Sequence, residues 1–196
     1  MSQLLRIIIA DDEPDMREYF QQVLSRLGHI VVAAARDGRE LVDLCHAAKP
    51  DLVITDIKMP ERDGIDAAVQ IYQDRPIPVI LVSAHQDASL IERAEMDHIM
   101  GYLVKPIKHG DLAPTIAIAV RRFEQFKTLR QEATDLRQAL ADRKVIEKAK
   151  GVLMKKRGLE ESEAFRRLQK LASDKNRKLV DIASIILTAE EAFQSP

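Results

Sequence analysis

The chain has 196 residues, 46% apolar and 31% charged, and its net charge of −1 hides an asymmetry: residues 1–120 carry 12 basic against 19 acidic side chains, residues 121–196 carry 18 against 12. This composition excludes a disordered chain and suits one domain of about 100–130 residues plus a smaller, basic module open to a polyanion. No apolar run is long enough to span a bilayer, MSQLLRIII lacks the features of a signal peptide, and the lone Cys45 makes no internal disulfide, so a cytoplasmic location without a membrane partner is expected.

In the first 120 residues, short apolar runs alternate with amphipathic stretches. The runs Leu4–Ala10, Ile30–Ala35, Leu52–Thr55, Val79–Ser83 and Tyr102–Val104 are mostly β-branched and nearly continuous, as strands buried on both faces are. Helical patterns follow each: Met16–Leu27, Gly38–Ala48, Ile65–Tyr72, Leu90–Met96 and Leu112–Phe126. Turn formers mark the joins at Gly28, Asp37-Gly38, Lys49-Pro50, Asp63-Gly64, Pro76 and Pro78. Five strand–helix repeats predict an α/β fold with a doubly wound, five-stranded parallel sheet. Its functional crevice lies at the carboxyl ends of the strands.

Beyond Pro114 there is no proline until Pro196, so the fifth helix continues without a break signal. Ile116, Val120, Phe123, Phe126, Leu129, Ala133, Leu136 and Leu140 form an amphipathic seam. Packing on its own chain and a coiled-coil homodimer are both open readings of that seam. Three helices complete the chain: about Leu140–Arg157, ending at Gly158, then Glu161–Ser173 and Leu179–Phe193. Ile146, Ala149, Val152, Leu153, Ala164, Phe165, Leu168, Leu171, Ile182, Ala183, Ile186 and Leu187 are expected to face inward.

Chemistry concentrates at the strand ends. Asp11 and Asp12 close the first apolar run and Asp56 the third, so three carboxylates converge in one crevice. Such a cluster calls for a cation, and magnesium suits a few carboxylates with waters and a phosphoryl oxygen. Ser83 and Lys105, at the ends of the fourth and fifth runs, bring a hydroxyl and an ammonium to the same rim. Asp56 is then a carboxylate nucleophile able to take a phosphoryl group, with Lys105 and Ser83 on its oxygens.

The motifs IIIADDE (7–13), LVITDIKMP (52–60), VILVSA (79–84) and GYLVKP (101–106) resemble the receiver domain of two-component response regulators, over residues 3–122. That resemblance implies a flavodoxin-like fold and a sensor histidine kinase as partner. It also implies Asp56 as phosphoacceptor and a Mg2+ held by Asp11, Asp12, Asp56 and the Lys58 carbonyl. Ser83 and Tyr102 take the paired switch positions, and Lys105-Pro106 resembles the family's cis peptide. The switch that the resemblance implies is local: on phosphorylation Ser83 would be drawn toward Asp56 and Tyr102 would swing inward, repacking the face of the fourth helix, fifth strand and fifth helix. Lys58 and His85, two residues beyond Asp56 and Ser83, are open to two readings: water gates or solvated rim residues.

The stretch from Arg143 to Arg157 carries Arg143, Lys144, Lys148, Lys150, Lys155, Lys156 and Arg157 against Glu147 alone. Lys144, Lys148 and Lys155 share one helical face, a stripe suited to a phosphate backbone. Residues 135–193, from ALADRKVIEKAKGVLMKKRG onward, resemble the ANTAR domain, an RNA-binding antitermination module. The resemblance implies binding to paired hairpins of a leader transcript, with Arg143, Lys144, Lys148 and Lys150 as contacts and Arg166, Arg167 and Arg177 as extensions. A helix-turn-helix is poorly supported, because the last helix opens Lys178-Leu179-Val180-Asp181. An enzymatic output lacks a glycine-rich phosphate loop, cysteine or histidine in this half, and the five histidines elsewhere show no metal-ligand spacing. A protein-binding tail stays open as an alternative. The expected layout is a receiver over 1–122, a helical coiled-coil linker over 123–138 and a small three-helix domain over 139–196.

Overall fold

The computed structural model describes residues 4–84 and 99–194. The helix expected over Leu90–Met96 and the rim position His85 lie outside them. The chain divides into two compact units, 1–127 and 128–196.

In the first unit, five parallel strands, β1 (Arg6–Ala10), β2 (Ile30–Ala35), β3 (Leu52–Asp56), β4 (Val79–Ser83) and β5 (Ile99–Val104), line up in the order β2-β1-β3-β4-β5. The pleat sends alternate side chains to opposite faces. Ile7 and Ile9 of β1 pack with Phe20, Val23 and Leu24 of α1 (Pro14–Arg26) and with Leu112, Ile116 and Phe123 of α4 (His109–Arg157). Ile8 and Ala10 pack on the other face with Leu41, Val42 and Cys45 of α2 (Gly38–Ala48) and Ile65, Ala68 and Ile71 of α3 (Gly64–Asp74). Both faces are thus covered, which is why the strands read as continuous apolar runs.

Local chemistry sets the element ends. Pro14 occupies the first turn of α1, where its missing N–H costs nothing. Asp37 caps α2 by accepting from the N–H groups of Arg39 and Glu40, and Asp63 caps α3 by accepting from that of Asp66. β5 is longer than its sequence suggests, starting at Ile99 rather than Tyr102. Gly101, which interrupts the β-branched run, lies where a Cβ would meet Thr115 Cγ2 at 3.1 Å.

The order β2-β1-β3 means that the chain leaves β1 toward one edge and later fills in the other. The carboxyl ends of β1 and β3 therefore flank the point where connections diverge, the position at which open α/β sheets bind ligands.

α4 runs unbroken from His109 to Arg157, with Pro114 in its opening turns. The tail helix expected to start near Leu140 is the end of this element, not a separate one. The apolar seam divides: Ile116, Val120, Phe123 and Phe126 pack on the first unit's core, whereas Leu129, Leu136 and Leu140 are 60–66% exposed.

The second unit takes its core from the last turns of α4 together with α5 (Glu161–Lys175) and α6 (Leu179–Gln194). Ala149, Leu168, Ala172, Ile182 and Ala183 are its buried centre, with Ile146, Leu153, Leu171, Ile186 and Leu187 around them. Three of those five are alanines, so the helices approach closely around little side-chain volume. Asn176 ends α5 in the left-handed conformation (φ 49°), and the Arg177 N–H returns to the Ala172 carbonyl. Phe165, expected inward, is 37% exposed and sits on the rim.

Candidate functional site

At the ends of β1 and β3, carboxylate oxygens of Asp11, Asp12 and Asp56 lie within 4.8 Å of one another. Asp11 is fully buried, Asp56 is 7% exposed and Asp12 faces solvent. Lys105, just past β5, reaches across: its Nζ is 2.5 Å from Asp56 Oδ2, 2.9 Å from Asp11 Oδ2 and 3.5 Å from Glu13 Oε1. The Asp11 contact lies outside hydrogen-bonding angles, so that oxygen gains Coulomb attraction from Lys105 without a well-formed bond. The Lys105-Pro106 peptide is cis, as the resemblance implied.

Backbone groups hold the acids in place. The Glu13 N–H donates to Asp11 Oδ1 at 3.0 Å and the Lys58 N–H to Asp56 Oδ1 at 3.1 Å. Arg17, one turn into α1, donates to the carbonyls of Asp11 and Asp12 at 2.7 and 3.0 Å. Sequence reasoning did not single out Arg17; its spacing from the acidic pair, one helical turn past a proline start, was the available signal. Thr55 Oγ1 donates to the Asp56 carbonyl, and the Gly64 N–H to that of Ile57. Ser83 is buried at the end of β4, where its carbonyl accepts the Lys105 N–H at 2.8 Å. Tyr102 is half-buried on β5, opposite Leu81, and packs against the core beneath α2 and α3.

The charges are uneven. Burial pushes the Asp11 carboxyl above its ordinary value, Lys105 and the Glu13 N–H pull it back in part, and Asp56 adds like-charge repulsion. Burial alone would lower the Lys105 ammonium, but its contacts with Asp56 and Asp11 outweigh that and hold it charged well above neutrality. One ammonium among three carboxylates leaves the cluster short of positive charge. An all-oxygen donor set with a buried, under-compensated acid fits a hard divalent cation such as Mg2+.

This imbalance has a measurable effect on stability. An acid whose pKa is raised by folding favours the fold below its ordinary value, here 3.8, and gives that stability back as pH rises through the folded value. At neutral pH without divalent ions, the buried Asp11 carboxyl therefore costs stability. Asp11→Asn is expected to raise Tm in chelator, and a rise in Tm on adding magnesium is expected of the parent chain and not of the variant. An unchanged Tm in chelator would contradict the charge imbalance.

In the second unit, Arg143, Lys144, Lys148 and Lys155 line α4, with Lys144, Lys148 and Lys155 solvent-exposed, and Arg166, Arg167 and Arg177 are exposed on and just after α5. Lys150 departs from that set. It is buried, with Nζ 2.7 Å from Glu161 Oε1 and 2.9 and 3.0 Å from the Glu147 oxygens, and lies 5.9 Å from the Phe165 ring centroid. Hydrogen bonds to Glu161 and Glu147 raise its pKa, and Lys150 in turn lowers that of Glu161. Its charge is already committed to tying α4 to α5. No helix among the described residues is long and apolar enough to cross a membrane.

The family description "Response regulator receiver domain" matches residues 7–117, and "ANTAR domain" matches residues 134–187. Over 182 residues the chain is 41% identical to the transcriptional regulatory protein PdtaR of Mycobacterium tuberculosis, covering 93% of this chain and 89% of that one. Among solved structures, the receiver domain of the putative response regulator NarL from Mycobacterium tuberculosis matches with TM-score 0.57 and 27% identity, over 61% of this chain and 98% of that one. A LuxR-family response regulator from Aurantimonas sp. matches with TM-score 0.57 and 28% identity, over 61% and 86%.

Proposed function

This chain belongs to the response regulators that join a receiver domain to an ANTAR domain, and from that membership we propose that it acts as a phosphorylation-dependent, RNA-binding transcription antiterminator. The observation that carries the first part is the Asp11–Asp12–Asp56–Lys105 cluster at the divergence point of the sheet. A sensor histidine kinase is the phosphodonor. An Asp56 carboxylate oxygen attacks phosphorus, the bond to the donor breaks, and its electron pair leaves with the donor. Asp11, Asp12, Asp56 and the Lys58 carbonyl would hold Mg2+, which neutralises charge on the attacking and transferred groups. Lys105 keeps its ammonium at Asp56, placed to pair with a phosphoryl oxygen. Ser83 and Tyr102 are the switch pair through which the new dianion is read. The working layout is a receiver over 1–122, a linker over 123–138 and an RNA-binding domain over 139–196.

The exposed leucines on α4 support a homodimer. Leu129, Ala133, Leu136 and Leu140 recur at spacings of four, three and four, the a/d rhythm of a coiled coil, and the three leucines are largely solvent-exposed in the single chain. Leu136→Lys is expected to leave a monomer by sedimentation at concentrations where the parent chain dimerises. A parent chain that stays monomeric after phosphorylation would remove the dimer from this scheme.

For the output, the exposed stripe Lys144, Lys148 and Lys155, with Arg143 beside it, supports a phosphate-backbone contact on hairpin RNA of a leader transcript. Lys144→Glu with Lys148→Glu is expected to weaken hairpin binding at least about tenfold and to flatten its salt dependence by roughly one unit of log–log slope per lost contact. Unchanged affinity would move the interface off this face. The overall reading is tested by titrating hairpin RNA and charge-matched duplex DNA into the full chain, before and after treatment with acetyl phosphate and magnesium. Tighter RNA binding after treatment is expected; equal affinity would sever phosphorylation from output, and preference for neither nucleic acid would favour a protein partner.

A further inference from the structure

A cavity of about 300 Å³ opens between α2 and α3 at the amino-terminal edge of the sheet. Its floor is apolar: Cys45, Ile71 and Ile77 are 3–6% exposed. Its mouth is ionic. His46 Nε2 is 2.9 Å from Asp74 Oδ2, and that pair closes one side. Lys49 and Arg75 stand at the mouth too, and among the described residues neither side chain has a carboxylate partner. Lys49 is held in the left-handed conformation (φ 49°) where α2 ends, and Arg75 ends α3 with its N–H bonded to the Ile71 carbonyl. Two exposed cations thus stand at helix ends beside an apolar hollow.

We propose that this cavity is a binding site for a small organic anion, with a carboxylate or phosphonate-like head between Lys49 and Arg75 and a compact apolar body on Ile71 and Ile77. The volume lies at the lower limit of small-molecule sites, enough for a ring or a branched chain of about ten heavy atoms. The polarity fits the same class: apolar surface below, and at the mouth two cations, with the Asp74 carboxylate already engaged by His46. A neutral ligand would gain no charge pairing from Lys49 and Arg75, and a cation would be repelled by both. The thiol takes no covalent part, because burial pushes Cys45 up to about 12 although Arg75 draws it partly back.

The site is separate from the acidic cluster. Pro50 of the mouth precedes β3 and Asp56 ends it, so about 17 Å of strand lies between them. α3 nonetheless touches both. Its first residue, Gly64, binds the Ile57 carbonyl beside Asp56, and its last turn supplies Ile71 and Asp74 to the cavity. An occupant would press on the same helix that supports the acceptor loop.

The test is an amide-shift titration of the 15N-labelled full chain with benzoate, phenylphosphonate and neutral benzamide, each to about 20 mM, a range suited to ligands this small. Saturable shifts confined to residues near 45–50 and 71–77, with an anion and not with benzamide, are expected. The two anions distinguish the preferred head. Lys49→Gln with Arg75→Gln should weaken binding at least about tenfold while the remaining amide spectrum is unchanged. Lys49→Gln alone serves if the double variant fails to fold. No saturation with either anion, benzamide binding as well as benzoate, or unaltered affinity in the variants would overturn the proposal. Labelling of Asp56 by acetyl phosphate, measured in parallel, reports on the phosphoacceptor reading independently.

Discussion

Asp56→Asn is expected to cut phosphoryl incorporation from acetyl phosphate and magnesium by more than about a hundredfold, to background, because an amide oxygen is no nucleophile toward phosphorus. The fold should survive the change. The substituted amide keeps an oxygen to accept the Lys58 N–H, now 3.1 Å from Asp56 Oδ1, and Lys105 keeps Asp11 as a counter-charge. Circular dichroism of the variant should therefore match the parent, and loss of label reads as loss of the acceptor. The control lies next door: Asp12 is exposed and within the same cluster. Label persisting in the variant at the parent's level, mapped to Asp12 or elsewhere, would reassign the acceptor.

Gly64→Ala should destabilise the first unit by at least about 3 kcal/mol. A Cβ there would stand 2.0 Å from the Asp56 carbonyl oxygen and 2.9 Å from Thr55 Oγ1. Neither neighbour yields easily: one is backbone, and the other already donates to that carbonyl at 2.9 Å. The only relief is to pull α3 off the end of β3, which strains the Gly64 N–H bond to the Ile57 carbonyl. Gly110→Ala is the matched comparison, since a Cβ at that helical position meets nothing within 4 Å. It should gain about 0.5 kcal/mol through helix propensity. Urea unfolding of both variants, followed by a probe in the first unit, checks the contrast; equal effects would refute the close approach. Since the clash falls on Asp56 itself, Gly64→Ala should also slow labelling in whatever fraction stays folded.

Much of this was legible in the chain before any coordinates. Asp11, Asp12, Asp56, Ser83 and Lys105 all end apolar runs, and a parallel sheet brings run ends to one rim. The limits were physical. Periodicity could not foresee β5 extending back through Met100 and Gly101, because a strand with a glycine lacks a continuous β-branched signature. The spacing of Ala164, Phe165, Leu168 and Leu171 placed Phe165 inward, yet a core built around alanines has no volume for a ring. The resemblance offered Lys150, like its basic neighbours, as an RNA contact. It could not register that Glu161, eleven positions away, folds back across the turn after Gly158 to claim that ammonium. Arg17 escaped notice because its hydrogen bonds go to loop carbonyls, which only its spacing from the acidic pair hints at.

Lys105 shares its one ammonium between two acids that would otherwise repel. That counter-charge belongs to the chain itself, so the ends of β1, β3 and β5 are drawn together by the fold's own ammonium.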